Sequence, residues 1–68
     1  MENLETTTWQ SARDEMVREG WKVGWAEYMD EYEDSIWIVQ ALRNGRAEMA
    51  DGFSLRDAID KVYYLTRR

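Results

Sequence analysis

The stretch IWIVQALRNGRAEMA, residues 36–50, decides the fold because it contains a hairpin together with its turn. Asn44-Gly45 is the strongest short hairpin signal, since both residues tolerate the positive φ angles of a two-residue type I′ turn. Residues 36–39 are β-branched or aromatic, which favours a strand before this turn. The sequence therefore predicts two antiparallel strands joined at Asn44-Gly45.

A two-residue loop also predicts which side chains face each other across the hairpin. On one face the predicted pairs are Leu42 with Ala47, Gln40 with Met49, and Ile36 with Phe53. The other face is predicted to carry Trp37, Val39, Ala41, Glu48 and Ala50. Arg43 then lies opposite Arg46, an unfavourable like-charge pair that indicates a solvated turn end. Because the strand before the Asn44-Gly45 turn is apolar on both faces, we expect it to be central in its sheet or covered on both sides.

The segment from Trp21 to Ala26 predicts a third strand, because Trp21, Val23 and Trp25 alternate with small or polar residues. An overlapping apolar pattern with helical spacing starts at Trp25. A mostly helical fold with residues 25–42 as a helix is therefore the alternative. The strand-favouring composition of residues 36–39 and the turn signal that follows weigh against this helix.

Helices are predicted on both sides of the strands. Thr7 or Thr8 can cap residues 8–19, and Thr7 with Gln10 forms a capping pattern. The helix is predicted to end before Gly20, which suits the left-handed position after a helix. The second helix, residues 55–66, follows the N-cap Ser54. It places five apolar residues on one face: Leu55, Ala58, Ile59, Val62 and Leu65.

The predicted architecture is a small single α+β domain over residues 8–68, preceded by a flexible N-terminus over residues 1–7. Its order is helix, three-stranded antiparallel β meander, helix (αβββα). The pattern leaves open whether both helices cover the same face of the sheet.

The composition argues against most chemistry. The chain has no Cys and no His, so it has neither a thiolate nor an imidazole for catalysis or metal binding. The acids from Asp30 to Asp34 do not match the spacing of a calcium loop. We therefore expect no enzymatic activity, no catalytic residue, no cofactor and no metal site.

The same composition also indicates where the protein is located and which partners it does not bind. The longest uncharged apolar run is Ile36–Val39, far shorter than a membrane span, and the acidic N-terminus lacks the features of a signal peptide. A cytoplasmic protein is expected. An isoelectric point near 4.6 disfavours direct binding of nucleic acid.

Charge is divided unevenly along the chain. Residues 1–34 carry ten acidic and three basic residues, a net charge of −7, whereas residues 35–68 carry a net charge of +2. Five of the ten acidic residues in this first half fall in Glu27–Asp34, called here the acidic segment, where they are interleaved with tyrosines. The candidate partner-binding residues are Glu27, Tyr28, Asp30, Glu31, Tyr32, Glu33 and Asp34, with Tyr64 on the last helix as a further aromatic anchor.

These features predict a small non-catalytic module that binds a basic protein. Proteins with basic grooves are commonly nucleic-acid-binding, and an acidic domain can block such a groove by imitating phosphates. Small phage-type inhibitors of nucleases, including anti-CRISPR proteins, act in this way. The alternative is a homo-oligomeric structural or accessory protein, a homodimer for example, that buries its excess of aromatic residues at a self-interface.

Overall fold

The chain forms five elements in the predicted αβββα order. The computed structural model describes residues 4–68, with side chains from Trp9 onward. The elements are α1 (Leu4–Arg18), β1 (Lys22–Met29), β2 (Ser35–Arg43), β3 (Arg46–Gly52) and α2 (Leu55–Thr66). The fold class is confirmed. The alternative helix over residues 25–42 is wrong, because that range lies in β1, β2 and the turn between them.

The three strands form an antiparallel meander in the order β1-β2-β3, so β2 is central as predicted. The pairs Leu42–Ala47, Gln40–Met49 and Arg43–Arg46 all have the predicted register. Asn44 and Gly45 have φ angles of 51° and 81°, as the two-residue turn requires. The strong local turn signal explains why this register could be predicted.

The predicted pair of Ile36 with Phe53 does not form, because β3 ends at Gly52 and the chain turns there into α2. A Cβ atom on Gly52 would collide with the carboxylate of Asp57. It would also lie 3.1 Å from the backbone nitrogen of Ala58. The first turn of α2 therefore packs directly against the end of β3, and this close approach ends the strand.

Both helices pack on the same face of the sheet, which answers the question that the sequence left open. Side chains at 0% exposure come from α1, β2 and α2: Met16, Val39, Ala41, Ala58, Ile59 and Val62. Val39 and Ala41 belong to the odd-numbered face of β2, so both helices cover that face. The molecule is 17 Å thick along its shortest axis, as two layers require. No described element covers the opposite face of the sheet.

The boundaries of the two helices were predicted with unequal success. Ser54 caps α2 as predicted, and its side-chain oxygen accepts a hydrogen bond of 3.0 Å from the backbone of Asp57. Helix α1 begins at Leu4, so Thr7 and Thr8 lie inside the helix and the predicted cap there is wrong. No Pro or Gly interrupts residues 4–8, and the helix continues through them. Of the predicted flexible segment 1–7, residues 1–3 lie outside the described residues.

The end of α1 positions the first strand. Gly20 has a φ angle of 97°, and two hydrogen bonds close the helix end. The N–H of Gly20 donates to the carbonyl of Val17, and the N–H of Trp21 donates to the carbonyl of Met16, each at 3.0 Å. This is a Schellman motif, and it delivers Trp21 into the core at 2% exposure. Over residues 4–68, neither helix has the length and apolar character needed to cross a bilayer.

Candidate interaction site at the acidic segment

The acidic segment lies at the β1–β2 end of the sheet, where Asp30–Asp34 forms the connecting loop. One carboxylate oxygen of Asp30 accepts two backbone hydrogen bonds, from the N–H of Tyr32 at 2.8 Å and from the N–H of Asp34 at 2.9 Å. Two backbone hydrogen bonds of 3.0 Å close the same loop, and Glu33 adopts a φ angle of 66° within it. The loop therefore has a defined conformation that presents its remaining side chains outward.

Asp30 has a different role from its acidic neighbours. It was predicted as one of several equivalent partner-binding acids, but its carboxylate holds the loop together and its side chain is half-buried. An Asp that bonds the backbone two residues later is a recognised turn signal. This signal is visible in the sequence, but charge patterning groups Asp30 with its acidic neighbours and does not distinguish it from them.

The other acids of the segment are exposed, and none has a cationic partner among the side chains described from Trp9 onward. Ion pairs among the described residues join Arg13 to Asp14, Arg46 to Glu48, Lys61 to Asp57, and Arg67 to Glu15 and Glu19. None of these pairs includes a residue of the acidic segment. Within the described part of the chain, the charges of Glu27, Glu31, Glu33 and Asp34 therefore have no ion-pair partner.

The aromatic candidates lie in three different places. Tyr32 is 76% exposed on the loop, and Tyr28 is 47% exposed on the sheet face that the helices leave uncovered. Tyr64 is 65% exposed on α2, and it lies beside Ala50 and Lys61 rather than beside the loop. Seven of the eight candidate residues thus lie at one end of the β1–β2 hairpin, with Glu27 and Tyr28 on opposite faces of β1, and Tyr64 lies apart from them.

Trp25 belongs to neither the acidic segment nor the uncovered face. It lies on the helix-covered side of β1, and its ring meets the ring of Trp9 edge-on at 5.8 Å between centroids. The guanidinium of Arg13 lies 5.7 Å from the Trp9 ring and 6.0 Å from the Trp25 ring. The fold therefore uses the partly exposed Trp25 to hold α1 against the sheet.

The opposite end of the sheet carries a cluster of arginines that the fold uses. The guanidinium of Arg43 lies 4.6 Å from the ring centroid of buried Trp21, and that of Arg46 lies 5.3 Å from it. Arg43 also donates to the carbonyl of Glu19, and Arg46 to the carbonyl of Leu65. The turn end is solvated as predicted, since Asn44, Gly45 and Arg46 are exposed. The like-charge pair is further tolerated because both cations contact one aromatic ring.

Arg67 completes this arginine end. Its guanidinium bonds Glu19 at 2.8 Å, lies 3.6 Å from Glu15, and is 4.3 Å from the ring centroid of Tyr63. The hydrogen bond from Arg67 holds the pKa of Glu19 below its ordinary value. Opposite charges are therefore paired at this end of the sheet, in contrast to the acidic segment.

The uncovered face of the sheet is the feature that sequence reasoning missed. Strand pairing places eleven residues on it: Lys22, Gly24, Ala26, Tyr28, Ile36, Ile38, Gln40, Leu42, Ala47, Met49 and Asp51. Leu42 and Met49 are 41% and 56% exposed, although both are apolar. An open depression of ≈ 240 Å³ lies between β1 and Met49, lined in part by Gly24, Ala26 and Ile38. The apolar residues on both faces of β2 were the signal, but they did not reveal which face the helices leave open.

The exposed carboxylates of the acidic segment are available to a second molecule. Among the side chains described from Trp9 onward, no group of three or more acids is placed to hold a metal ion. The exposed carboxylates can accept hydrogen bonds from arginines or lysines of another molecule. No protein-family model, curated protein or solved structure matches this chain. The functional inference therefore rests on the residues themselves.

Proposed function

We propose that this protein is a small, non-catalytic, acidic module that binds a basic groove on another protein through the acidic segment. The observation that carries the proposal is a difference in ion pairing between two groups of acids. Glu31, Glu33 and Asp34 have no cationic partner among the described residues, whereas the acids near Arg67 do. Unpaired charges on a loop of defined shape lose little conformational entropy when a partner binds.

Two physical effects would act together at this surface. The clustered carboxylates would steer a positively charged partner and speed its association, an effect that salt screens. Tyr32, at 76% exposure, would supply apolar area at the centre of the contact, as aromatic anchors do in other interfaces. Strong salt dependence of binding follows from the first effect.

The partner class follows from the chemistry of recognition. Deep basic grooves are built to hold the phosphates of DNA or RNA, so the partner is a nucleic-acid-binding protein or complex. Occupying its groove would inhibit it by charge mimicry, without direct contact between this chain and nucleic acid. A phage-type inhibitor of a nuclease, of the anti-CRISPR kind, acting in the cytoplasm, is the specific form of the proposal.

A capture experiment with two charge-matched variants tests it. The site variant carries Glu31→Gln, Glu33→Gln and Asp34→Asn, and leaves Asp30 in place so that the loop keeps its hydrogen bonds. The control variant carries Asp14→Asn, Asp51→Asn and Asp60→Asn, which removes the same charge from exposed positions elsewhere. Each immobilised protein is exposed to lysate at low salt, washed with a salt gradient, and analysed by mass spectrometry.

The wild type and the control are expected to retain a basic nucleic-acid-binding protein until moderate salt, and the site variant is expected to lose it. Purified partner should then lose its affinity for nucleic acid when the wild type is added. Equal retention by all three proteins would rule out recognition through the acidic segment.

A further inference from the structure

The uncovered face of the sheet has the composition of a surface that is normally buried. Among its side chains only Lys22 and Asp51 carry a formal charge, and they occupy the two edge strands. The central strand contributes Ile36, Ile38 and Leu42 to this face. Contiguous apolar surface of this kind marks a contact site on a small soluble domain, and a chain of 68 residues gains stability by burying more of it.

The charge distribution along the strands indicates what covers this face. The acidic segment lies at one end of the sheet. The opposite end carries Arg18, Lys22, Arg43, Arg46, Arg67 and Arg68, with Glu15, Glu19 and Glu48 as the acids among them. The sheet is therefore negative at one end and positive at the other. A second copy turned end for end matches this pattern.

We infer that two copies of this chain form a symmetric dimer through their uncovered sheet faces, with the strands of one sheet antiparallel to those of the other. In this orientation each acidic segment lies over the partner subunit's Lys22. A parallel orientation would bring the two acidic segments together, where their unpaired charges repel. The twofold axis of the dimer then lies in the interface and runs perpendicular to the strands. Each strand therefore packs over the same strand of the other copy, in the opposite direction.

Two lysine substitutions at equally exposed apolar positions test the face. Met49, on the uncovered face, is 56% exposed, and Val17, on α1, is 52% exposed. Met49→Lys places a charge inside the inferred interface, whereas Val17→Lys adds the same charge outside it. Because both sites are exposed in a single copy, neither change disturbs the core, and circular dichroism verifies that each variant is folded.

Sedimentation equilibrium from micromolar to near-millimolar protein gives the readout. The wild type and Val17→Lys are expected to shift from the 8.2 kDa monomer towards twice that mass as concentration rises. Met49→Lys is expected to raise the dissociation constant by about tenfold or more, since a charge buried without a partner opposes association. A wild type that stays monomeric throughout, or equal weakening by both variants, overturns the inference.

The orientation has its own test by charge exchange. Lys22→Glu is expected to weaken the dimer, and adding Glu31→Lys with Glu33→Lys in the same chain is expected to restore it, because each end of the sheet again meets opposite charge. Failure of this restoration, with the Met49→Lys effect intact, would overturn the antiparallel orientation.

Discussion

Both ends of the sheet carry clustered charged side chains, but the fold pairs the charges at only one of them. At the arginine end, Arg43 and Arg46 contact the ring of Trp21, and Arg67 bonds Glu19. In the acidic segment, the carboxylate of Asp30 bonds the loop backbone, and the acids beside it have no cationic partner among the described residues. The comparison teaches that charge density alone does not identify an interaction surface. What distinguishes such a surface is whether the fold has already paired its charges.

The largest effect is expected from Trp21→Ala at the arginine end. Trp21 is 2% exposed, and its ring is the contact shared by Arg43 and Arg46. Its removal leaves a cavity and a like-charge pair without their common partner, so we expect a loss of about 3–5 kcal/mol in the free energy of unfolding. Urea denaturation measures it. Trp25→Ala, at a position 40% exposed, is the control and should cost clearly less. Equal losses would mean that Trp21 has no special role.

The next largest loss of stability is expected from removing the carboxylate of Asp30, which holds the β1–β2 loop together. Asp30→Ala removes the acceptor for the backbone N–H groups of Tyr32 and Asp34, and we expect a loss of about 1–3 kcal/mol. Asp30→Asn removes the same charge but keeps a side-chain oxygen, so it should cost less than about 1 kcal/mol. Thermal unfolding of both variants separates the two contributions. If they lose the same stability, charge rather than hydrogen bonding explains the role of Asp30.

A smaller, pH-dependent effect is expected at the arginine end. The hydrogen bond from Arg67 holds the pKa of Glu19 below its ordinary value of 4.5. The carboxylate therefore contributes stability that is fully present above pH 4.5 and is lost as the pH falls through the lower folded pKa. Arg67→Met should reduce stability near neutral pH and make its dependence on acidic pH shallower. Denaturation at several pH values checks this, and parallel curves for wild type and variant would contradict it.

The features that could be predicted are those with a local cause. Asn44-Gly45 determines a two-residue turn through its own φ angles, and Ser54 caps α2 through a hydrogen bond three residues away. The contacts of Arg43 and Arg46 with the ring of Trp21 could not be predicted, because they join residues that are distant in the chain and depend on tertiary packing. The face of the sheet that the two helices cover could not be predicted either, since β2 is apolar on both sides and either face could have formed the core.

The candidate site was predicted in its location but not in its internal differences. The concentration of acids was visible in the composition of the acidic segment, and seven of the eight named residues lie at one end of the β1–β2 hairpin. Tyr64 lies apart because α2 runs beside β3 and presents it near Ala50. The distinct role of Asp30 depends on loop geometry, which charge patterning does not report.

The smallest effect on stability, and the sharpest test of the comparison, is expected from neutralising the unpaired acids. Glu31→Gln, Glu33→Gln and Asp34→Asn break no ion pair among the described residues, so the free energy of unfolding should stay within about 0.5 kcal/mol of the wild type or rise slightly as repulsion is relieved. Neutralising Glu15 and Glu19 is the matched test at the arginine end and should destabilise, because Arg67 then loses both acidic partners. Chemical denaturation of the two variants at low salt gives the comparison. If the first variant is the less stable of the two, the carboxylates of the acidic segment stabilise the fold, which contradicts the proposal that they remain unpaired for a partner.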